Sequence, residues 1–232
     1  MMEVYVGTSG WMYDWNRGGS LDWYVRFSGL NAVELNASFY RFPFPSQVSS
    51  WARKGVKLRW AIKVHRSITH RRRLTPQALE VWARFRERFK PLDHLIDFYL
   101  FQLPPSFQAT ETNIERVKSF ARAAGLGHRM AIEFRHESWF NEETVDICRE
   151  ISATVVSVDS PMGTWIRSSN GIVYLRMHGR SAWYAHDYSG EELEEVAEGV
   201  LSLEPSKVYV FFNNDHWMLG NAREMLRILS RR

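Results

Sequence analysis

The chain has 232 residues, 45% of them hydrophobic, with 30 Lys and Arg against 26 Asp and Glu and a formal charge of +4. That composition supports one sizeable core and sets a mild bias toward anionic partners. Its single cysteine, Cys148, excludes an internal disulfide and a multi-cysteine metal site. No apolar run approaches the roughly 18 residues of a membrane span, and no basic-then-apolar signal peptide opens the chain. A cytoplasmic protein without membrane contact is expected.

In chain order, the first apolar run is Val4 to Gly7, followed by a short helical pattern, Leu21 to Phe27. The second run, Ala32 to Leu35, leads through Pro43 and Pro45 to a helix over Ser46 to Arg53. The third run is Leu58 to Val64. A longer helix is predicted over Pro76 to Phe89, with Leu79, Trp82, Ala83, Phe85 and Phe89 near helical spacing and Thr75 as N-cap. The fourth run, Ile96 to Leu103, is followed by Glu111 to Ala124, a helix that stops at Gly125. The fifth, Met130 to Phe134, precedes Asn141 to Ile151, where Glu142 and Glu143 suit the positive helix end. The sixth run is Thr154 to Val158. Few residues then separate Asp159 from the seventh, Ile172 to Met177, and Ser168-Ser169-Asn170-Gly171 is a turn signal. Thr164 to Arg167 can pair back as a hairpin, so the crossover helix after the sixth strand is expected to be short or missing. Gly190 to Leu201, acidic in its first turns, leads to the eighth run, Val208 to Phe212. A helix over Asn221 to Leu229 closes the chain.

Strands alternating with helices imply parallel pairing with right-handed crossovers. Eight such units predict an α/β fold, a TIM-like (β/α)8 barrel, as a single domain over residues 1–232. An open doubly wound sheet is the competing arrangement.

The runs end in residues a buried strand should not carry: Glu34 and Asn36, Lys63 and His65, Gln102, Glu133 and Arg135, Asp159, Arg176 and His178, Asn213 and Asn214. Residues two apart share a strand face, and charges are costly to bury unless paired. In the fifth run Ile132 and Phe134 take the helix-facing phase, so Glu133 and Arg135 face the barrel mouth. The same reasoning turns Lys63 and His65 inward past Ile62 and Val64, and Asp159 inward past Val156 and Val158. Polar tips repeated at one end of successive strands describe a site, since barrel enzymes work at that end. Ion pairs that only close the barrel top are the plainer explanation for any one of them.

The blocks Gly7-Thr8-Ser9-Gly10-Trp11, Val33-Glu34-Leu35-Asn36 with Phe39-Tyr40-Arg41, and Ala61-Ile62-Lys63-Val64 with Ile68-Thr69-His70 resemble successive signatures of the YecE-like domain-of-unknown-function family 72. So do Phe101-Gln102-Leu103-Pro104-Pro105, Ile132-Glu133-Phe134-Arg135-His136, Leu175-Arg176-Met177-His178-Gly179 and Phe212-Asn213-Asn214-Asp215. The resemblance spans the chain in order. It implies a TIM-barrel-like fold and supplies no reaction. The likeness of such barrels to metal-dependent apurinic endonucleases and sugar isomerases is an analogy of fold.

Lys63, Arg135 and Arg176, with the amides of Asn36, Gln102, Asn213 and Asn214, have the chemistry of a phosphate or carboxylate clamp. The helix start near Asn221 is a further anion-binding candidate. Glu133, Asp159 and His178 are the proton-transfer candidates, and Glu34 and His65 join the substrate-binding set. With Glu34 or His65 the same three offer donors to a divalent metal, although no HExxH spacing is present; no other cofactor is expected. Two classes of function follow. One is a hydrolase- or lyase-type enzyme on an anionic, phosphate-bearing substrate. The other is a single-strand nucleic-acid binder without chemistry, in which the basic stretch His65 to Arg73 works with Trp11, Tyr13, Trp15, Phe39, Tyr40, Trp139, Phe140, Trp183 and Tyr184.

Overall fold

Alternation within the apolar runs decides the architecture of residues 2–231, which the computed structural model describes. The strands are β1 (Glu3–Thr8), β2 (Ala32–Leu35), β3 (Arg59–Lys63), β4 (Ile96–Gln102), β5 (Met130–Glu133), β6 (Thr154–Ser160), β7 (Gly163–Trp165), β8 (Ile172–Met177) and β9 (Lys207–Phe212). Eight of them pair in parallel in the order β5-β4-β3-β2-β1-β9-β8-β6, and β5 bonds to β6 to close the ring. The helices are α1 (Leu21–Phe27), α2 (Pro45–Lys54), α3 (Ala78–Phe89), α4 (Glu111–Ala124), α5 (Glu142–Glu150), α6 (Gly190–Leu201) and α7 (Met218–Ser230). This is the closed (β/α) barrel that the sequence predicts, and among the described residues no helix is long and apolar enough to cross a membrane.

Each strand divides its side chains between two cores. Ala32, Ala61, Phe98, Leu100, Ala131, Val156, Val158, Tyr174, Tyr209 and Phe211 fill the barrel interior. The alternate positions, such as Val33, Ile62, Tyr99, Ile132, Leu175 and Val210, pack outward in the larger core beneath the helices. Gly7 lies in the inward phase of β1, and a Cβ there would sit 2.2 Å from the carbonyl oxygen of Ala32. Only glycine lets β1 and β2 approach that closely.

Short polar residues set the helix starts. Ser20, Thr110 and Asn141 accept hydrogen bonds from the third residue onward, and Ser189 forms a reciprocal capping box with Glu192. Two expected boundaries move. The helix expected from Pro76 begins at Ala78, behind a π-turn over Ser67–Arg71 and two left-handed residues, Arg73 and Leu74. The last helix begins at Met218, so Asn221 lies within its first turn rather than before it.

The sixth strand has no crossover helix. After β6 the chain reverses into β7, which pairs antiparallel with it. An extended strap then covers the outer face: Ser157 Oγ donates to Arg167 O at 2.9 Å, and Ser169 Oγ donates to Ala153 O at 2.7 Å while accepting from Val155 N at 3.0 Å. Among the described residues seven helices thus surround eight parallel strands, as the short spacing before Ile172 predicts.

Candidate active site at the barrel mouth

The inward phase of the strands carries the charged residues to one end. Above the aromatic layer of Phe98, Tyr174 and Phe211, Arg176 is wholly buried and joins two carboxylates from opposite walls. Its Nη2 and Nε donate to Glu34 at 2.6 and 3.0 Å, and its Nη1 donates to Glu133 Oε2 at 2.5 Å. Glu34 also accepts from Tyr174 OH at 2.6 Å and from Ser9 Oγ at 2.9 Å. Every oxygen of this carboxylate therefore has a donor, which is what a buried charge requires.

On the other wall, Glu133 Oε1 lies 2.6 Å from Arg135 Nε and 2.9 Å from His178 Nε2. Asn213 Nδ2 sits 3.4 Å from His178 Nδ1. Arg135 Nη2 and Arg176 Nη1 also lie 3.1 and 3.4 Å from Nε2, so this ring nitrogen sits among one carboxylate and two guanidiniums. Burial pushes the Glu133 pKa up, but Arg135, Arg176 and His178 outweigh it and hold the carboxyl well below its ordinary 4.5. Burial, then Arg135 and Arg176, press His178 down to about 3. Glu133 is thus permanently ionised and His178 permanently neutral at physiological pH. The proton-transfer roles expected for them do not suit these states, because a general base works best with a pKa near the operating pH.

Lys63 differs. Its Nζ makes no hydrogen bond and no ion pair among the described residues, and it stands 4.4 Å from the centre of the Phe39 ring. The side chain is partly buried. Burial, followed by the positive charge of Arg176, brings its pKa down from 10.5 to about 7, against a partial pull upward from Glu133 and Glu34. Ser38 Oγ donates to the Lys63 carbonyl at 2.7 Å and fixes the strand end. His70 packs edge-on against Phe39 at 4.9 Å. Burial and the charge of Lys63 bring His70 down to about 4. Inward alternation in β1 and β8 also brings Ser9 and Tyr174 to the cluster, whereas no periodic signal marks His70 as its neighbour.

Asn36, Gln102 and Asn213 close the ring of strand tips. Asn36 Oδ1 is buried without a partner, and the Gln102 amide makes no hydrogen bond among the described residues. Trp183, from the loop after β8, lies with its ring 4.7 Å from the Arg135 guanidinium and 5.5 Å from His178. A neighbouring cleft of about 540 Å³ opens beside Ser9 and Asn36 and is walled by Trp11, Tyr13, Tyr40 and Trp51. Other surface hollows lie between α3 and α4 and along α6, away from the strand tips.

Three expected members do not join this cluster. Val156 and Val158 line the barrel interior, so Asp159 points out of it. The missing helix explains the reversed phase. With only the strap over β6, its outer face carries hydrogen-bonding Ser157 and Asp159, and the aliphatic residues turn inside. Asp159 accepts from Thr164 Oγ1 at 2.6 Å, Tyr188 OH at 2.7 Å and Arg180 Nε at 3.0 Å. Asn214 follows the inward Asn213 by one residue and so faces outward. It donates to His186 O and Asn221 Oδ1, both at 2.7 Å. His65 lies beyond the end of β3, where its ring packs 5.0 Å from Phe42 and contacts Ser67 Oγ at 2.6 Å. Asn221 bonds to Asp187, Tyr188 and Asn214, leaving no anion cradle at the last helix. The proposed metal donors are therefore divided between separate places, and no group of three or more His, Cys, Asp or Glu among the described residues is arranged to hold a metal ion.

A closed parallel barrel with an ionic cluster at its strand tips defines a TIM-barrel protein with its candidate site in the usual place. The sequence matches the family described as "Protein of unknown function DUF72" over residues 5–232, and the chain belongs to that family. A DUF72 protein of Thermotoga maritima is 28% identical and superposes with a TM-score of 0.84 over 98% of this chain and 99% of its own. One from Enterococcus faecalis is 22% identical, with a TM-score of 0.83 over 99% and 98%. D-psicose 3-epimerase of Clostridium cellulolyticum, solved with D-tagatose, shares the fold at 14% identity and a TM-score of 0.61, covering 99% of this chain and 98% of its own. No curated protein matches the chain.

Proposed function

We propose that this protein is a cytoplasmic enzyme of hydrolase or lyase type that holds an anionic, phosphate-bearing small molecule at the barrel mouth and acts by proton transfer, without a metal or redox cofactor. The observation that carries this reading is Lys63, a partly buried amine with no carboxylate of its own. Glu34 and Glu133 are matched by Arg176 and Arg135. A proton on Lys63 therefore leaves one positive charge without a counter-ion. An entering anion supplies it, and the amides of Asn36, Gln102 and Asn213 offer additional contacts. Lys63 also changes protonation near neutral pH, which suits it to move a proton. Ionised Arg135, Arg176 and Glu133, with neutral His178, then act as a rigid frame that orients the ligand.

Thermal unfolding at low salt tests the reading with inorganic phosphate, sugar phosphates and nucleotides, against chloride at equal ionic strength. A ligand at a hundredfold its Kd stabilises by about 2.7 kcal/mol. For a chain of this size that raises Tm by about 5–10 °C. No shift with any of these anions removes the reading.

The nucleic-acid alternative retains one specific observation: Tyr40 and Tyr184 are exposed, and the Arg66 guanidinium lies 6.0 Å from the Tyr40 ring. The other aromatics named for it are partly or wholly buried, Trp139 completely, and serve packing. A steep salt dependence of oligonucleotide affinity would favour it.

A further inference from the structure

A lysine at neutral pH is ordinarily an ammonium ion, and the usual way to keep one inside a protein is to pair it with a carboxylate. The barrel mouth contains two carboxylates, yet both are turned to arginines. Glu34 receives the Nε and Nη2 of Arg176, together with Tyr174 and Ser9. Glu133 receives Arg176, Arg135 and His178. Lys63 is left with the Phe39 ring 4.4 Å from its Nζ and no ion-pair partner among the described residues, within the fields of Arg176, Glu133, Glu34 and Arg135. Aromatic attraction for an ammonium is too weak to replace an ion pair at such a site. Ser38 holds the backbone beneath the amine, and the Phe39 ring lies 4.4 Å from Nζ. An anion clamp built for charge alone would favour a third arginine, which stays protonated and binds in a fork. An amine adds what a guanidinium lacks: a nitrogen lone pair that becomes available once the proton leaves.

We propose that Lys63 is an imine-forming lysine, whose Nζ at the barrel mouth condenses with the carbonyl of an aldehyde or ketone that carries an anionic group. This rests on the anion-binding reading above and narrows it to oxo compounds. The neutral amine attacks the carbonyl carbon; a C–N bond forms, and the carbonyl π electrons move to oxygen, which takes a proton. The nitrogen releases a proton, giving a neutral carbinolamine. The hydroxyl then takes up a proton and leaves as water while the nitrogen lone pair forms the C=N bond. The sum is amine plus carbonyl plus one proton giving a protonated imine plus water, with no oxidant or reductant. Addition of water reverses it.

The local charges fit each stage. Burial and guanidinium neighbours keep the free amine neutral at a pH near 7, where roughly half of it carries a lone pair; for a free lysine that fraction is smaller by about three orders of magnitude. The ligand's own anionic group, held by Arg135 and the amides, offsets the positive charge of the imine once formed. Glu133 and Glu34, both in the electrostatic surroundings of Lys63, oppose that positive charge as well.

The test is reductive trapping. The purified full chain is incubated at pH 7 with dihydroxyacetone phosphate, or separately with dihydroxyacetone, then reduced with sodium cyanoborohydride and mapped by peptide mass spectrometry. The expected result is one predominant adduct on Lys63, formed at least about tenfold faster than on Lys54, Lys57, Lys90, Lys118 or Lys207, as the larger neutral fraction requires. Lys63→Met and Lys63→Arg should lose that adduct and retain a cooperative unfolding transition. Dihydroxyacetone should label Lys63 more slowly than its phosphate, and inorganic phosphate should slow the phosphate ester. Absence of Lys63 labelling by either probe, while phosphate still stabilises the protein, overturns the imine and leaves the anion site standing. Equal labelling by both probes with no effect of inorganic phosphate keeps the imine and removes the anion reading.

Discussion

At the scale of single residues, the mouth separates groups with fixed charge from the one that titrates. Glu133 lies beside three cationic or proton-donating partners and His178 beside two guanidiniums, so neither changes state near neutrality. Lys63, with no partner for its proton, does. Its folded pKa, about 7, lies below the ordinary 10.5, so between these values the unfolded chain binds more protons and stability rises with pH. Above pH 9 Cys148 acts in the opposite direction, because burial lifts its thiol from 9.0 to about 12. The clear window is therefore pH 7 to 9. Urea unfolding should show stability increasing across it, and Lys63→Met should flatten the slope while raising stability at pH 7. An unchanged slope in the variant would mean that another group titrates there. The sequence made Glu34, Lys63, Glu133, Arg135, Arg176 and His178 legible by alternation alone. It concealed their protonation states, which depend on distances of about 3 Å between strands far apart in the chain.

At the scale of elements, the missing helix matters most. On β3 and β5 the expected phase holds for Lys63, Glu133 and Arg135, because the face under the helices must be aliphatic. On β6 the rule reversed: a strap rich in serine contacts accepts polar side chains, and the valines turned into the barrel. Asp159 consequently supports a loop. It receives Thr164, Tyr188 and Arg180, and Arg180 reaches on to Glu195 of α6 at 2.8 Å. Tyr188 OH also accepts from Gly179 N at 2.8 Å. At Gly179, with φ of +101°, a Cβ would lie 2.6 Å from Ala182 O, so the bend depends on glycine. This set carries Trp183 to its place over Arg135. Asp159→Asn should cost about 1–3 kcal/mol, since it weakens the hydrogen bonds of a buried carboxylate. Limited proteolysis should then cut faster between residues 179 and 188, with the core strands intact. Unaltered cleavage would show that the loop is held by other contacts.

At the scale of the whole molecule, the ionic cluster spans the barrel. Arg176 from β8 grips Glu34 on β2 and Glu133 on β5, strands that do not neighbour one another in the ring. Removing one partner of a buried ion pair strands the other and typically costs about 3–5 kcal/mol. Arg176→Met strands two carboxylates, so a loss at the upper end of that range is expected in equilibrium denaturation. Replacing Glu34 and Glu133 with Gln in the same chain should recover much of it. If Arg176→Met alone costs under about 1 kcal/mol, the cluster is not a structural tie. The barrel itself was legible from eight apolar runs separated by helical patterns, whereas the tie across it depends on pairings between residues 142 and 43 positions apart.

Trp183 gives this arrangement an optical consequence. Its indole rests against Arg135, which is 8% exposed where Arg176 beside it is wholly sealed. Any guest that draws Arg135 toward itself must alter the field around that indole. Emission colour and intensity then become a label-free gauge of occupancy, built into the chain and readable while the guest is still unidentified.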